Sequence, residues 1–301
     1  MTQESRNVVN RAARQTAKQV LRRYGEATAD LRPGPDFVII GAKRGGTTSL
    51  HNYLREHPSI RPLFPGRRHI KGIHYYDSNY ASGLRWYRSY FPLQAGGRHL
   101  ARPDLSPAIA GESSPYYLFH PLAAQRLALD FPAVRIIVSL RDPIDRAYSH
   151  YKEAIHHGRE TLSFEAALEA EDERLRGEAE RIVAEPGYRS VSHEHLSYLA
   201  QSRYLDVLPR WFSLFPREQF HILASEDFYA DPDHHVNEIW RFLGLPPRQM
   251  LSRTRHNHQP APDIRPETRQ RLQEALADHN QGLEELLGRR LPWPATKQPI
   301  R

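Results

Sequence analysis

Residues 41–49 combine glycines, cations and hydroxyls in a pattern that suits an anionic ligand. The run reads Gly41-Ala42-Lys43-Arg44-Gly45-Gly46-Thr47-Thr48-Ser49. Glycines allow a tight turn and a close backbone approach to a ligand. The start of a helix adds unpaired N–H donors and the positive end of the helix dipole. Two side-chain cations and three hydroxyls complete the set, so we predict that this turn binds a phosphate group.

The turn is similar to, but not the same as, the phosphate loop of nucleoside triphosphatases. That loop reads Gly-x-x-x-x-Gly-Lys-Ser/Thr, and its Lys reaches the β- and γ-phosphates. Here Thr47 follows the last glycine, and the cations stand earlier, at Lys43 and Arg44. The pattern therefore favours a ligand that carries a phosphate but no triphosphate–magnesium unit.

A second anion-binding candidate begins at the end of a buried strand. Arg141 follows Val134–Leu140, Asp142-Pro143 then predicts a helix start, and Ser149 lies inside that helix. A guanidinium at the end of a strand can present two parallel N–H donors to a phosphate, and a hydroxyl on the next helix can donate to the same group. We assign Arg141 and Ser149 to a second phosphate site.

Two stretches between these sites carry groups suited to acid–base work. Lys71-Gly72-Ile73-His74-Tyr75-Tyr76-Asp77 offers an ammonium and an imidazole, and Gly111-Glu112-Ser113-Ser114-Pro115 offers a carboxylate. A carboxylate or an imidazole is what a reaction at a hydroxyl requires as a base. From the residues alone, Glu112 also fits a turn or a helix cap, and His74 also fits a structural role.

Strand-like and helix-like segments alternate along the chain, which predicts an α/β fold with a central parallel sheet covered by helices on both faces. The predicted strands are Phe37–Ile40, Val134–Leu140 and Phe220–Leu223. The predicted helices are Thr47–Glu56, a helix from Asp142-Pro143 to about His157, Leu162–Arg176, His195–Phe215, Pro232–Leu243 and Pro266–Leu287. We place a basic helical extension at 1–33, the main domain at 34–295 and a tail at 296–301.

Composition narrows the classes of function. The 301 residues are 39% hydrophobic and 26% charged, with a net charge of +7, which favours an anionic partner. The absence of cysteine excludes disulfides, thiol catalysis and Cys-ligated metals. No apolar run is long enough to cross a bilayer, and the first 30 or so residues lack a signal peptide. We therefore expect a cytoplasmic protein, whose basic helix at Asn7–Tyr24 has weak contact with a membrane at most.

Taken together, the two phosphate motifs resemble those of sulfotransferases that use 3′-phosphoadenosine 5′-phosphosulfate (PAPS). By this resemblance, Lys43, Arg44, Gly45, Gly46, Thr47, Thr48 and Ser49 would bind the 5′-phosphosulfate, and Arg141 and Ser149 the 3′-phosphate. The resemblance also implies a three-layer, P-loop-like fold. The family usually has Lys where this chain has Arg44, so either Arg44 or Lys43 would meet the transferring sulfuryl group.

The two intervening stretches resemble the glycosaminoglycan branch, which includes the heparan sulfate sulfotransferases. That branch has a Lys-x-x-His-Phe-Phe-Asp-like run before a Glu-x-(Ser/Thr)-Pro-x-Tyr-like run. The match implies Glu112 as the catalytic base, with His74 as the alternative, and Lys71 at the reaction centre. The corresponding basic loop before the last helix, residues 253–265, lacks the glycine that the family has there.

The resemblance implies transfer of a sulfuryl group from PAPS to a hydroxyl or an amine, with adenosine 3′,5′-bisphosphate (PAP) as product and no metal required. A carbohydrate is the first choice of acceptor, and lipids and small metabolites remain open, as does the oligomeric state. A P-loop kinase is the first alternative, although Thr47 argues against it. A non-enzymatic binder of an anionic polymer is the second, and we expect no nucleic-acid partner.

Overall fold

A computed structural model of the chain describes residues 19–65, 70–93, 108–250 and 264–293. Five strands form one parallel sheet in the order β2-β3-β1-β4-β5. The strands are β1 (Phe37–Gly41), β2 (Ile60–Arg61), β3 (Ile109–Ser113), β4 (Arg135–Leu140) and β5 (Phe220–Ala224). All four strand pairings are parallel. The predicted α/β class and the parallel sheet are confirmed.

The helices fill the connections between the strands. They are α1 (19–27), α2 (Thr47–Leu54), α3 (Tyr75–Ser78), α4 (Gly83–Arg88), α5 (Ala123–Asp130), α6 (Pro143–His156), α7 (Phe164–Glu169), α8 (Glu171–Leu175), α9 (Glu178–Ala184), α10 (Val191–His195), α11 (Tyr204–Phe212), α12 (Ser225–Ala230), α13 (Pro232–Phe242) and α14 (Pro266–Leu287). Short 3₁₀ turns occur at Ala29–Leu31, Tyr80–Ser82, Ala200–Ser202 and Arg217–Gln219.

Helices cover both faces of the sheet, and the alternation of side chains along β1 shows it. Val38 and Ile40 pack into a cluster that contains Trp211 of α11. Ile39 packs into a second cluster with Leu50 of α2. Successive side chains of a strand point to opposite faces, so each face of β1 has its own hydrophobic core. The three-layer arrangement is confirmed.

Several predicted boundaries agree closely with the structure. Helix α6 begins where expected, with Pro143 in its first turn and the Asp142 carboxylate accepting from the backbone N–H groups of Ile144 and Asp145 at 2.9 Å each. Proline and an N-cap aspartate favour this start. Helix α14 has the predicted bounds.

Two predicted helices are wrong in detail. Residues 195–215 do not form one helix, because α10 ends at His195 and α11 begins only at Tyr204. The carboxylate of Glu171 accepts from the backbone N–H groups of Leu199 and Ala200, at 2.9 and 2.7 Å, and thereby stabilises a turn between the two helices. The predicted helix 162–176 is likewise divided, into α7 and α8.

The sequence-based interpretation also missed β3, which includes Glu112. Gly111 and Glu112 have low strand propensity, but a Cβ at Gly111 would lie 2.5 Å from the Phe37 carbonyl oxygen of β1. Only a residue without a side chain allows the two strands to approach so closely. Gly111 is therefore a packing requirement of the sheet, and Glu112, which also fitted a turn, lies in a strand.

The N-terminal region packs on the main domain as far as it is described. Arg22 of α1 donates to the Ser89 carbonyl at 2.9 Å. Arg32 is buried and donates to the Phe91 carbonyl. Residues 1–18, 66–69 and 94–107, nearly all of the basic loop 253–265 and the tail 296–301 lie outside the described residues. None of the described helices has the length and apolar composition that crossing a membrane would need.

Replacement of Gly45 by alanine tests how tightly the turn after β1 packs on the sheet. A Cβ at Gly45 would lie 2.3 Å from the Ser139 carbonyl oxygen of β4 and 3.0 Å from that of Ala42. We expect Gly45→Ala to lower the free energy of unfolding by about 1–3 kcal/mol, as overpacking does. Urea denaturation would measure the loss.

Gly282→Ala is the matched control, because a Cβ there meets only the flexible end of the Leu205 side chain. We expect the control to retain wild-type stability. Equal stability of both variants would contradict the tight packing of the turn.

Candidate active site

A cavity of about 860 Å³ lies at the edge of the sheet where the parallel strands end. The predicted site residues that line it are Lys43, Arg44, Gly46, Thr47, Thr48, Lys71, His74, Arg141 and Ser149. Carboxyl ends of parallel strands, with helix N-termini beside them, form the usual ligand crevice of open α/β sheets. The structure thus brings both predicted anion sites and the intervening Lys71–Asp77 stretch to one cavity.

Hydrogen bonds from residues of β4 and α6 fix the turn after β1. The Ser139 hydroxyl donates to the Gly45 carbonyl at 2.6 Å, and Ser139 accepts from Ala42 N–H through its own carbonyl at 2.8 Å. Arg146 is fully buried and donates to the Lys43 carbonyl at 3.2 Å. These bonds engage the carbonyl oxygens of the turn, and α2 then begins at Thr47 without a side-chain cap. Its first N–H groups therefore suit an anion.

The two predicted phosphate sites are in direct contact. Arg44 Nε donates to Ser149 Oγ at 3.0 Å, and Arg141 Nη1 lies 3.4 Å from the Arg44 carbonyl oxygen. Arg44 adopts a left-handed backbone, with φ of 71°, which turns its side chain toward α6. A single ligand with two anionic groups can therefore contact both sites at once.

Lys43 and Arg44 share one ion-pair partner and differ in their other contacts. Lys43 Nζ lies 3.2 Å from the Glu194 carbonyl oxygen and 3.2 Å from His195 Nδ1, both on α10. Both cations also contact the Glu153 carboxylate on α6, Arg44 at 3.2 Å and Lys43 at 3.7 Å. Burial lowers the pKa of Lys43, while the nearby carboxylates of Glu153 and Glu194 raise it in part. The two cations thus share one carboxylate on α6, and Lys43 also contacts α10.

Lys71 stands over the start of α2. Its Nζ donates to Thr47 Oγ1 at 3.0 Å and to Thr48 Oγ1 at 2.9 Å. Burial lowers its pKa to about 8, with the positive charge of Arg44 as a further cause and Glu153 opposing it. An anion bound at the α2 N-terminus would meet this ammonium, since the two hydroxyls that it contacts belong to the first turn of the helix.

Glu112 lies beneath the cavity and does not line it. Its side chain is fully buried, and it accepts hydrogen bonds from Ile73 N–H (2.9 Å), the Ser114 hydroxyl (2.6 Å), the Tyr87 hydroxyl (3.0 Å) and the Tyr117 hydroxyl (2.8 Å). Burial raises its pKa, and the hydrogen bonds counteract this only in part. Gly45 and Ser49, also predicted as ligand contacts, lie beside the cavity rather than on its lining.

His74 lines the cavity, as does Lys71 of the same stretch. Its side chain is 41% exposed, and Nδ1 lies 2.8 Å from Asp77 Oδ2. A second cavity of about 470 Å³ shares His74, Glu194 and His195 with the larger one. His74 therefore stands where two cavities meet.

Glu153, Glu194, His195 and Tyr229 also line the site, and the sequence-based prediction missed them. A signal existed for Glu153, because it follows Ser149 by four residues on α6 and so shares its face. No such signal existed for the other three, which come from α10 and α12, far along the chain.

A group of potential metal ligands lies elsewhere. Among the described residues, His234, His235 and Glu238 of α13 have ligand atoms within 4.8 Å of one another. None of the three lines the cavity of about 860 Å³. The prediction that the reaction needs no metal stays a prediction.

A profile of the sulfotransferase domain matches residues 34–261. The chain belongs to the sulfotransferase domain family. The matched range contains β1 to β5 and every predicted site residue. The resemblance inferred from the phosphate motifs is thereby confirmed.

Among curated relatives of this sulfotransferase-family chain, human bifunctional heparan sulfate N-deacetylase/N-sulfotransferase 2 is 27% identical over 285 residues, which cover 85% of this chain and 30% of the relative. Mouse heparan sulfate glucosamine 3-O-sulfotransferase 5 is 27% identical over 216 residues, which cover 71% of this chain and 54% of the relative. The chain thus spans about a third to a half of these relatives.

A solved structure is also similar. A sulfotransferase from Alicyclobacillus acidocaldarius aligns with a TM-score of 0.63 and 28% identity, over 85% of this chain and 97% of that one. The common fold thus extends over most of both chains.

Replacement of Lys71 by methionine tests the cost of burying its charge. The folded state holds the pKa of Lys71 at about 8, below its ordinary value of 10.5, so the unfolded state binds more protons between these two pH values. Stability contributed by this group is therefore lowest below pH 8 and rises toward pH 10.5. We expect Lys71→Met to raise the free energy of unfolding at pH 7 by about 1–2 kcal/mol.

Urea denaturation at pH 7 and at pH 10.5 checks this expectation. The gain in the free energy of unfolding should be smaller at pH 10.5 than at pH 7. The variant Lys71→Arg keeps the charge and should show no gain at either pH. A methionine variant that is less stable than the wild type at pH 7 would contradict a buried, destabilising ammonium.

Proposed function

We propose that this protein transfers a sulfuryl group from PAPS to a hydroxyl of a carbohydrate. The observation that supports it most is that one cavity joins the α2 N-terminus, Lys71, Arg141 and Ser149. PAPS carries a phosphosulfate at one end and a 3′-phosphate on the same ribose, so its recognition requires two adjacent anion sites. The contact between Arg44 and Ser149 joins two such sites.

The electrostatics fit a donor whose leaving group gains negative charge. Sulfuryl transfer breaks the bond between sulfur and the bridging oxygen, and PAP leaves with the electron pair. A preorganised cation near that oxygen stabilises the developing charge. The bonds of Lys71 to Thr47 and Thr48 at the start of α2 support this role for Lys71, and Lys43 and Arg44 line the same cavity. Positioning of donor and acceptor in line supplies much of the remaining rate enhancement.

A carbohydrate acceptor is supported by two independent observations. The relatives described above are named for heparan sulfate. The smaller cavity beside His74 is lined mainly by polar side chains, among them Ser78, Asn79, Arg189 and Glu194. Such a surface suits a polyhydroxylated molecule better than a lipid, since apolar ligands favour apolar pockets. A transfer assay with labelled PAPS against glycans and small hydroxylated compounds tests this choice.

Thermal stabilisation by nucleotides separates this proposal from the kinase alternative. A ligand that binds only the folded state stabilises it by about 2.7 kcal/mol at a hundredfold excess over Kd. We expect PAP to raise Tm by several degrees and ATP with magnesium to raise it by much less. An equal or larger rise in Tm with ATP and magnesium would favour a kinase. Thr47 argues against that alternative, because it stands where the phosphate loop of such enzymes has Lys.

Arg141→Ala should weaken PAP binding by about 10- to 100-fold, as expected for the loss of a charge-assisted hydrogen bond to phosphate. Calorimetric titration would measure the change. Arg135→Ala is the matched control, because Arg135 lies at the opposite end of the same strand and contacts the Leu243 carbonyl. The proposed 3′-phosphate site is wrong if the two variants bind PAP equally well.

A further inference from the structure

Sulfuryl transfer requires a group that takes the proton from the acceptor hydroxyl, and that group must be accessible from the cavity. Glu112, the residue that the family resemblance suggests, is not accessible. Its side chain is fully buried, and both carboxylate oxygens accept two hydrogen bonds from donors beneath the cavity floor. An acceptor hydroxyl would have to displace this set to reach it.

Glu112 instead fixes the backbone that carries His74. It accepts from Ile73 N–H at 2.9 Å and from the Ser114 hydroxyl at 2.6 Å. Ser114 Oγ in turn accepts from His74 N–H at 3.0 Å. These bonds hold His74 in a left-handed conformation with φ of 53°, which is uncommon for a residue other than glycine. Residues are held in such conformations by their surroundings, often at functional sites.

The side chain of His74 is oriented for proton transfer. Its Nδ1 lies 2.8 Å from Asp77 Oδ2, and the Asp77 side chain has no exposed surface. A buried carboxylate that accepts from Nδ1–H fixes the tautomer in which Nε2 carries the lone pair. Nε2 is then the base atom of an imidazole that lines both cavities.

Gly72 packs closely beside this atom. A Cβ at position 72 would lie 2.5 Å from the Ser113 carbonyl oxygen, 2.9 Å from Ser114 Oγ and 3.3 Å from His74 Nε2. The cavity floor beside the imidazole therefore tolerates no side chain. Gly72 and His74 both line the larger cavity, so the imidazole lies where an acceptor could be bound.

We propose that His74, oriented by Asp77, is the catalytic base, and that Glu112 is a positioning residue for the His74 loop. The inference rests on the sulfotransferase function proposed above. The acceptor O–H bond breaks, its proton goes to His74 Nε2, and its oxygen forms a bond to sulfur. The bond from sulfur to the bridging phosphate oxygen breaks at the same time, and PAP takes that electron pair. The His74 proton is then released to water.

The groups around His74 determine the pH dependence. Burial lowers the pKa of His74, but the hydrogen bond and charge of Asp77, together with Glu112 of β3 and Glu194 of α10, raise it above its ordinary value of 6.5. His195 of α10 also faces it, with a pKa lowered to about 3 by burial and by the charge of Lys43, and is therefore neutral at pH 7. The base form of His74 increases with pH, and the charge of Lys71 is lost above about pH 8. A plot of kcat/KM against pH should therefore rise above 6.5 and fall beyond about 8.

The main test is His74→Asn, because asparagine tolerates the left-handed backbone and its amide can still donate to Asp77. We expect kcat to fall by about 10²- to 10⁴-fold, the usual contribution of a general base, and the acidic limb of the profile to disappear. PAP affinity should stay within about twofold of the wild type. His156→Asn is the matched control, an exposed histidine on α6 that does not line either cavity, and it should retain wild-type kinetics.

Rescue by added imidazole distinguishes a catalytic role of His74 from a structural one. Free imidazole can replace a missing base, but it cannot restore a misfolded loop. His74→Gly also tolerates the left-handed backbone and opens a space at a 41% exposed position. We expect added imidazole to restore part of the lost rate to this variant and to leave Glu112→Gln unchanged. Asp77→Asn should shift the acidic limb to lower pH, because it removes the carboxylate that raises the pKa of His74.

Glu112→Gln distinguishes the two candidates directly. As a positioning residue, it should lower Tm, reduce kcat less than His74→Asn does, and keep the acidic limb. The inference is overturned if His74→Asn transfers at the wild-type rate while Glu112→Gln is inactive with unchanged Tm and PAP affinity. Failure of the proposed function would look different, since wild-type protein would then show no stabilisation by PAP at all.

Discussion

The site depends on one constraint, which is that β1 and β4 are adjacent and parallel. The turn after β1 and the start of α6 after β4 must then leave the sheet at the same edge. Ser139 strengthens this arrangement, because its backbone and its hydroxyl both bond to the turn after β1, at 2.8 and 2.6 Å. With a strand inserted between β1 and β4, Arg44 could not reach Ser149, and the two phosphate sites could not bind one nucleotide.

Because the two anion sites lie together, several positively charged side chains are buried close to one another. Lys43, Lys71 and Arg146 all have a lowered pKa, for which burial is the main cause, and that of Arg146 falls to about 10. Glu153 offsets part of this through its contacts with Arg44 and Lys43, at 3.2 and 3.7 Å. Functional sites often retain such unfavourable arrangements at the expense of stability. A bound donor would supply the negative charge that the protein provides only in part.

Much of the nucleotide side could be predicted from the sequence because it is local. A strand, a glycine turn and a helix start are consecutive in the chain, and so are Arg141 and the capped helix α6. The acceptor side is not local. It forms where residues 71–77, β3 and α10 meet, and no pattern in the sequence indicates that Glu194 and His195 approach Lys43. The predicted helix 195–215 was wrong for the same reason, since Glu171, some thirty residues earlier, stabilises the turn that interrupts it.

Glu112 shows why a motif match can identify a residue that matters and still leave its role undetermined. The match could say that a carboxylate occurs in this stretch, but which face of β3 it takes depends on register. In the pairing with β1, Glu112 lies opposite Val38, whose side chain packs into the cluster that contains Tyr87 and Tyr117. The carboxylate therefore points away from the cavity, toward those two hydroxyls.

The same register leaves Ser113 and Gly72 at the floor of the cavity. Acid–base chemistry on this side must then come from the loop that lies over β3. Lys71 and His74, three residues apart in that loop, both line the cavity, and in the proposed reaction they would serve the leaving group and the attacking hydroxyl. The backbone between them is fixed by the bond from Ile73 N–H to Glu112. Glu112 is therefore the group that fixes the position of the Lys71 ammonium relative to the His74 imidazole, which is the geometry that the proposed reaction requires.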